Sequence, residues 1–250
     1  MNQNKINYVL HLADNALILG HRLSEWCGHG PVLEQDMAMT NIALDFIGEA
    51  RNFYQYAAEL KADGSTEDTL AYLRDAHEFK NCLLVELPNG DFARTIARQF
   101  LYDSYHFYFL ENLSDSTDER LAGIAAKSLK EATYHLRWSS DWVVRLGDGT
   151  EESHNRIQLA FNELWEFSGE FLTKTELENS VDLANISIDL NEIKNSIFEK
   201  RKAVFEEATL KMPTDAWMQK GGKQGRHTEH LGFLLAEMQF LQRAYPNSVW

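Results

Sequence analysis

Proline occurs only four times, at Pro31, Pro88, Pro213 and Pro246, each beside Gly, Asn or another turn former, and the 124 residues between Pro88 and Pro213 contain none. Because proline removes a backbone donor and clashes with the preceding helical turn, its positions punctuate a helical chain. Alternating β-branched runs are nearly absent, so long helices are expected from end to end. Apolar residues recur at three- and four-residue spacing over about Asn7 to Cys27 and Leu33 to Leu60, then Asp68 to Glu86, Asp91 to Asn112, Glu119 to Leu146 and Glu151 to Leu172. A less regular stretch runs to Leu190, a further helix covers about Asn191 to Leu210, and the Gly-rich loop Met212 to Gly225 leads into a last helix, Thr228 to Ala244. Amphipathic helices joined by short loops bury their stripes against one another. The expected fold is all-α, an antiparallel up-and-down four-helix bundle of the first, second, fourth and fifth helices with additional packing helices, in one domain over residues 1–250.

Composition narrows the function. Of 250 residues, 38 are Asp or Glu and 24 are Lys or Arg, a formal charge of −14. An acidic surface repels a phosphate backbone and gives no general attraction to anionic lipid, so neither nucleic acid nor a membrane surface is expected as a partner. The first residues lack the pattern of a secretion signal, no apolar run approaches a membrane span, and a cytoplasmic protein is expected. Cys27 and Cys82 have no metal-type spacing and read as two reduced thiols packed as small hydrophobes.

Several polar residues fall in or beside the apolar stripes. Asp45, Glu49, Asn52 and Tyr56 form a ridge on the second helix, Asp103 lies in the stripe of the fourth with His106 one turn on, and His135 faces inward on the fifth among small residues. Bundles that hold two metal ions use an inward carboxylate on each of two helices and Glu-x-x-His on each of the other two. Glu49-Ala50-Arg51-Asn52 has an amide where the histidine belongs, and Ala132-Thr133-Tyr134-His135 has a methyl where the glutamate belongs. Glu131 is adjacent, but one residue turns a helical side chain by about 100°. On the first helix the inward positions are Ala16 and Leu19, neither a ligand. The expected interior is a buried network of Glu49, Asn52, Asp103 and His135, with a cation or an ordered water in place of metal. The competing reading is an active di-iron oxidase or oxygenase that uses Glu49, Asp103, His106, Glu131 and His135 with relaxed geometry.

Two further features stand out. The basic loop Lys220-Gly221-Gly222-Lys223-Gln224-Gly225-Arg226 could bring backbone N–H groups to a phosphate, which makes Lys220, Lys223 and Arg226 candidates for contact with the phosphates of a ligand or with an acidic partner. In His227-Thr228-Glu229-His230 only the two histidines could share a face, and a helix cap by Thr228 or Glu229 is the expected role. Trp26, Trp138, Trp142, Trp165 and Trp217 read mostly as core.

Four blocks carry a family resemblance: "RLSEWCGHGPVLEQDMAMTNIALDFIGEARNFYQYAAEL", "LLVELPNGDFARTIARQFLYD", "KSLKEATYHLRWSSDWVVRLGDGT" and "GGKQGRHTEHLGFLLAEMQFLQRAYPNSVW". In this order they resemble the C-subunit family of the bacterial 1,2-phenylacetyl-CoA epoxidases, ferritin-like proteins of phenylacetate degradation. The resemblance implies a structural subunit without metal, paired with a related A subunit whose di-iron centre epoxidises the aromatic ring. A separate reductase with flavin and iron-sulfur groups would deliver electrons from NADPH. The catalytic relative carries Asp-Glu-Ala-Gly-His and Lys-Glu-Glu-Ser-Phe-His blocks. Here the matching stretches are Gly48-Glu49-Ala50-Arg51-Asn52 and Lys130-Glu131-Ala132-Thr133-Tyr134-His135. Glu49, Asn52, Asp103, Ala132 and His135 are then positions of a lost ligand set.

Overall fold

The computed structural model describes residues 2–180, 190–214, 217–246 and 248. Eleven α-helices are formed among them: α1 Asn2–Ser24, α2 Leu33–Lys61, α3 Glu67–Tyr72, α4 Leu83–Glu86, α5 Phe92–Leu113, α6 Glu119–Gly147, α7 Glu151–Leu164, α8 Glu176–Ser180, α9 Leu190–Glu207, α10 Glu229–Met238 and α11 Phe240–Ala244. No strand occurs among the described residues, and no helix there is long and apolar enough to cross a membrane.

Helix starts follow local chemistry. Asp91 accepts the Arg94 N–H at 2.9 Å, Asp118 accepts the N–H groups of Arg120 and Leu121, and Thr150 accepts that of Ser153. Each satisfies a donor that the first helical turn leaves without an intrahelical acceptor.

Four long helices make the bundle. α1 and α2 pair as an antiparallel hairpin that closes tightly at Gly20, where a Cβ would lie only 3.1–3.3 Å from Ile47, the Ala43 carbonyl and Phe46. α5 and α6 form the second hairpin, with Asp103 joined to Ser139 and Phe92 stacked edge-on against Trp142. Phe46 and Glu49 of α2 meet Tyr102 and His106 of α5 in the same order along both helices, so α2 and α5 run parallel. Residues 62–91 therefore cross the length of the bundle between the hairpins, the single long crossover of ferritin-like bundles. Strict up-and-down order, the simplest expectation for four long helices, is replaced by this crossover.

That crossover departs most from expectation. The helix expected over Asp68 to Glu86 breaks into α3, a 3-10 turn at Ala76–Glu78 and α4. Side chains from elsewhere replace the helical acceptors: Lys80 N–H donates to Asp14 at 2.8 Å, Cys82 N–H to Asn15 at 2.8 Å, and Leu83 N–H to Glu170 at 2.8 Å. Arg74, itself buried, donates to Asp14, to the Tyr54 hydroxyl and to the Leu70 carbonyl. α1 supplies two of the three acceptors because it is buried on every side from Tyr8 to Gly20, not on one stripe.

The other boundaries shift for similar reasons. α7 stops at Leu164 and continues as 3-10 turns to Leu172. The last helix breaks at Gln239, whose amide donates to the carbonyls of Ala71 and Arg74. α8 forms inside the stretch expected to be irregular, of which residues 181–189 lie outside the described ones. Cys82 is buried as expected but Cys27 is exposed, and Trp217 is 72% exposed rather than core.

Candidate functional site

The inward polar residues of the bundle come together, but in separate pairs. His106 Nε2 donates to Glu49 Oε1 at 3.0 Å, with both side chains buried. His135 Nε2 donates to Asp45 Oδ2 at 3.0 Å, a pair whose carboxylate reaches toward solvent. Asp103 accepts from Gln99 Nε2 and from Ser139 Oγ, each at 2.7 Å. Asn52, expected in the network, is half-buried and joins none of these pairs, and the buried Ala132 methyl contributes packing only.

Between the pairs lies a ring, not a cation. Phe46 packs against His106 at a centroid distance of 5.6 Å and against His135 at 5.0 Å, while Tyr102 lies against both Phe46 and His106. Of the two expected occupants, a Lys or Arg and an ordered water, the cation is corrected: a phenyl ring lies between the imidazoles, each of which keeps an Nδ1 without a protein partner among the described residues. The helical period of α2 marks Phe46 as core, yet nothing in its spacing says that its ring separates the two histidines. Gln99, whose amide completes the Asp103 pair, lies one turn before Asp103 on a helix buried almost all round, and that i, i+4 spacing is the signal that could have found it.

Electrostatics agree with a packed interior. Burial pushes the Asp103 carboxyl up to about 6, and the nearby His135, the Ser139 hydroxyl and the Gln99 amide only partly offset it. Glu131 is also raised, first by burial and then by the carboxylates of Asp45 and Glu49, so the acid that would complete a ligand set sits among like charges.

A di-iron pair does not fit this donor set. Among the described residues no three His, Cys, Asp or Glu side chains converge as metal ligands. The space lined by Glu49, His106, Asn15 and Tyr102 holds about 10 Å³. That is about the room of a single water beside Glu49 and His106, and Asp45, Asp103, Glu131 and His135 do not line it.

The second candidate region, the basic loop, is arranged differently from its expectation. Its amides turn inward: the Gly221 N–H donates to Glu170 Oε1 at 2.8 Å and the Lys223 N–H to the same oxygen at 3.5 Å. Glu170 thus ties the loop to α4, and the loop's N–H groups are not presented to a ligand. Lys223 is 4% exposed, and its ammonium is held by Glu178 and by the Thr173 carbonyl. Burial works against the Glu178 charge, but Lys223 and His11 outweigh it and hold the carboxyl at about 2. Lys220 and Arg226 remain exposed. At the next turn the expected Thr228 or Glu229 cap is absent: Glu86 accepts the Thr228 N–H at 2.7 Å and its hydroxyl at 2.8 Å, and takes His227 Nδ1–H at 2.8 Å.

An all-helical bundle with one crossover and inward carboxylate–imidazole pairs on facing helices defines a ferritin-like protein. The model of the phenylacetic acid catabolic protein family (PaaA_PaaC) matches residues 1–250, and the chain belongs to that family. It is also 49% identical over 243 residues to the C subunit of the 1,2-phenylacetyl-CoA epoxidase of Escherichia coli (strain K12), an alignment that covers 97% of this chain and 98% of that one.

Proposed function

We propose that this chain is the structural, non-catalytic subunit of a phenylacetyl-CoA epoxidase complex, which pairs with and stabilises a di-iron A subunit. The observation that carries the reading is the interior itself: Glu49, Asp45 and Asp103 are each committed to a protein donor, with Phe46 packed against both imidazoles. Oxygen activation at two irons needs carboxylate and imidazole ligands that are free to bind. The likeness to the epoxidase C subunit supports membership of the same kind of complex. Iron would then belong to the A subunit, and NADPH, flavin and iron-sulfur chemistry to a separate reductase.

A structural subunit needs a face to offer. Leu33, Met37 and Leu44 are 72%, 57% and 61% exposed and lie on one side of α2. Apolar side chains aligned on one exposed helix face suit a permanent interface better than solvent. Co-expression with an authentic A subunit and affinity capture of either partner tests the pairing. A stable complex that retains epoxidation when reductase is added is expected. Failure to co-purify would remove the proposal.

A further inference from the structure

A concavity of about 670 Å³ opens between the first turns of α1, the segment just before α8 and the 220–226 loop. Its wall holds Lys80, Lys174, Lys220, Lys223 and Arg226 against a single acidic residue, Glu176. In a chain of net charge −14 that is a local reversal of sign. The cations are not spent on one another's neighbours. Lys223 is neutralised by Glu178 at the floor, whereas Lys80, Lys174, Lys220 and Arg226 have no ion-pair partner among the described residues. The rim adds the amides of Asn4 and Asn7 from α1, whose first turn holds no acidic residue. A concave wall focuses the field of like charges more strongly than a flat surface does.

The frame that carries these groups is rigid where it needs to be. Glu170 anchors the loop through Gly221 and Lys223, and the Lys223–Glu178 pair ties it to α8. Gly222 packs so closely on the Asn81 carbonyl that a Cβ there would collide with it, and Gly225 adopts φ +77° against the His77 carbonyl, beside the Lys80 ammonium. These contacts fix the backbone from which Lys220 and Arg226 project, while Lys80 is fixed through its own N–H on Asp14.

We propose that this concavity binds an organic polyphosphate, with Lys80, Lys174, Lys220 and Arg226 around the phosphate oxygens. Lysine supplies point charges and arginine a bidentate fork, the pairing that phosphate esters select. Backbone N–H groups play no part, since those at Gly221 and Lys223 are taken. Two sources share this chemistry: a free nucleotide, and the phosphate-bearing arm of a coenzyme thioester.

Calorimetric titration of the full chain with inorganic pyrophosphate, with ADP and with coenzyme A tests it. Saturable binding at one site is expected, weakened about tenfold or more by Lys174→Glu with Lys220→Glu, at unchanged melting temperature. Reversing two exposed lysines of α6, Lys127→Glu with Lys130→Glu, leaves affinity unchanged. Coenzyme A binding tighter than ADP assigns the thioester arm, and equal affinity assigns a general polyphosphate site. Absence of heat with all three ligands at about 1 mM, or equal loss in the α6 pair, overturns the proposal. So does loss of assembly with the A subunit in the Lys174/Lys220 variant without any ligand binding, which would make the patch a contact for an acidic protein. Ligand binding by the isolated chain and co-purification with an A subunit are read separately, so either can fail alone.

Discussion

Glu178 and Lys223 meet with side chains 8% and 1% exposed, at a place where sequence alone suggests a solvated basic loop. Breaking a buried pair from one side leaves the other charge without compensation, so Lys223→Ala is expected to cost about 3–5 kcal/mol in chemical denaturation. Lys223→Met combined with Glu178→Leu recovers most of that loss, because no lone charge then remains. The folded Glu178 carboxyl titrates at about 2, below its ordinary 4.5, so its stabilisation is present above pH 4.5 and lost as pH falls through 2. Asp103 has the opposite sign. Burial raises it from 3.8 to about 6, so the folded chain holds a proton that the unfolded chain has released, and stability falls as pH rises across that window. Asp103→Asn removes this slope, and its stability relative to the parent rises by on the order of 2 kcal/mol between pH 4 and pH 7 in urea titrations. At this scale the sequence is informative about which residues face inward, since Glu49, Asp103, His106 and His135 are all buried. It is uninformative about partners: helical spacing orients a side chain on its own helix but leaves open which donor on another helix it meets.

Elements with long apolar periods are legible almost to their ends, α2 and α6 above all, because about seven or eight turns of stripe average out single misfits. The crossover is not legible. Its apolar content over Asp68 to Glu86 is compatible with a helix, and the competing acceptors Asp14, Asn15 and Glu170 lie far away in sequence. One signal exists: His11, Asp14 and Asn15 interrupt the otherwise apolar stretch Tyr8 to Gly20 of α1 at the spacing of one helix face, which marks a polar strip that something must cover. The crossover covers that strip, and the 220–226 loop packs in turn on the crossover at His77 and Asn81. Gly222→Ala is therefore expected to lower the melting temperature sharply, since the new methyl collides with backbone at Asn81, whereas Gly48→Ala, whose Cβ would meet open space, leaves it unchanged or raises it slightly. On the exposed face of α2, Met37→Glu with Leu44→Glu leaves the isolated chain's melting curve intact and abolishes capture of the A subunit.

Across the whole molecule, a ferritin-like bundle encloses an interior of carboxylate–donor pairs packed against an aromatic ring. Glu49, Asp45 and Asp103 are each engaged by a histidine, a serine or a glutamine, and Phe46 packs against both histidines. The all-α bundle follows from helix lengths and loop positions, its ferritin-like class from the family resemblance, and the departures from a metal-ligand pattern from residue spacing. What fills their place needs three-dimensional contacts. The most direct test is elemental analysis of the full chain purified alone from iron-replete cells, alongside its near-ultraviolet and visible spectrum. The account predicts well below about 0.1 iron per chain and no ligand-to-metal absorption, whereas about two irons per chain with such a band would contradict it.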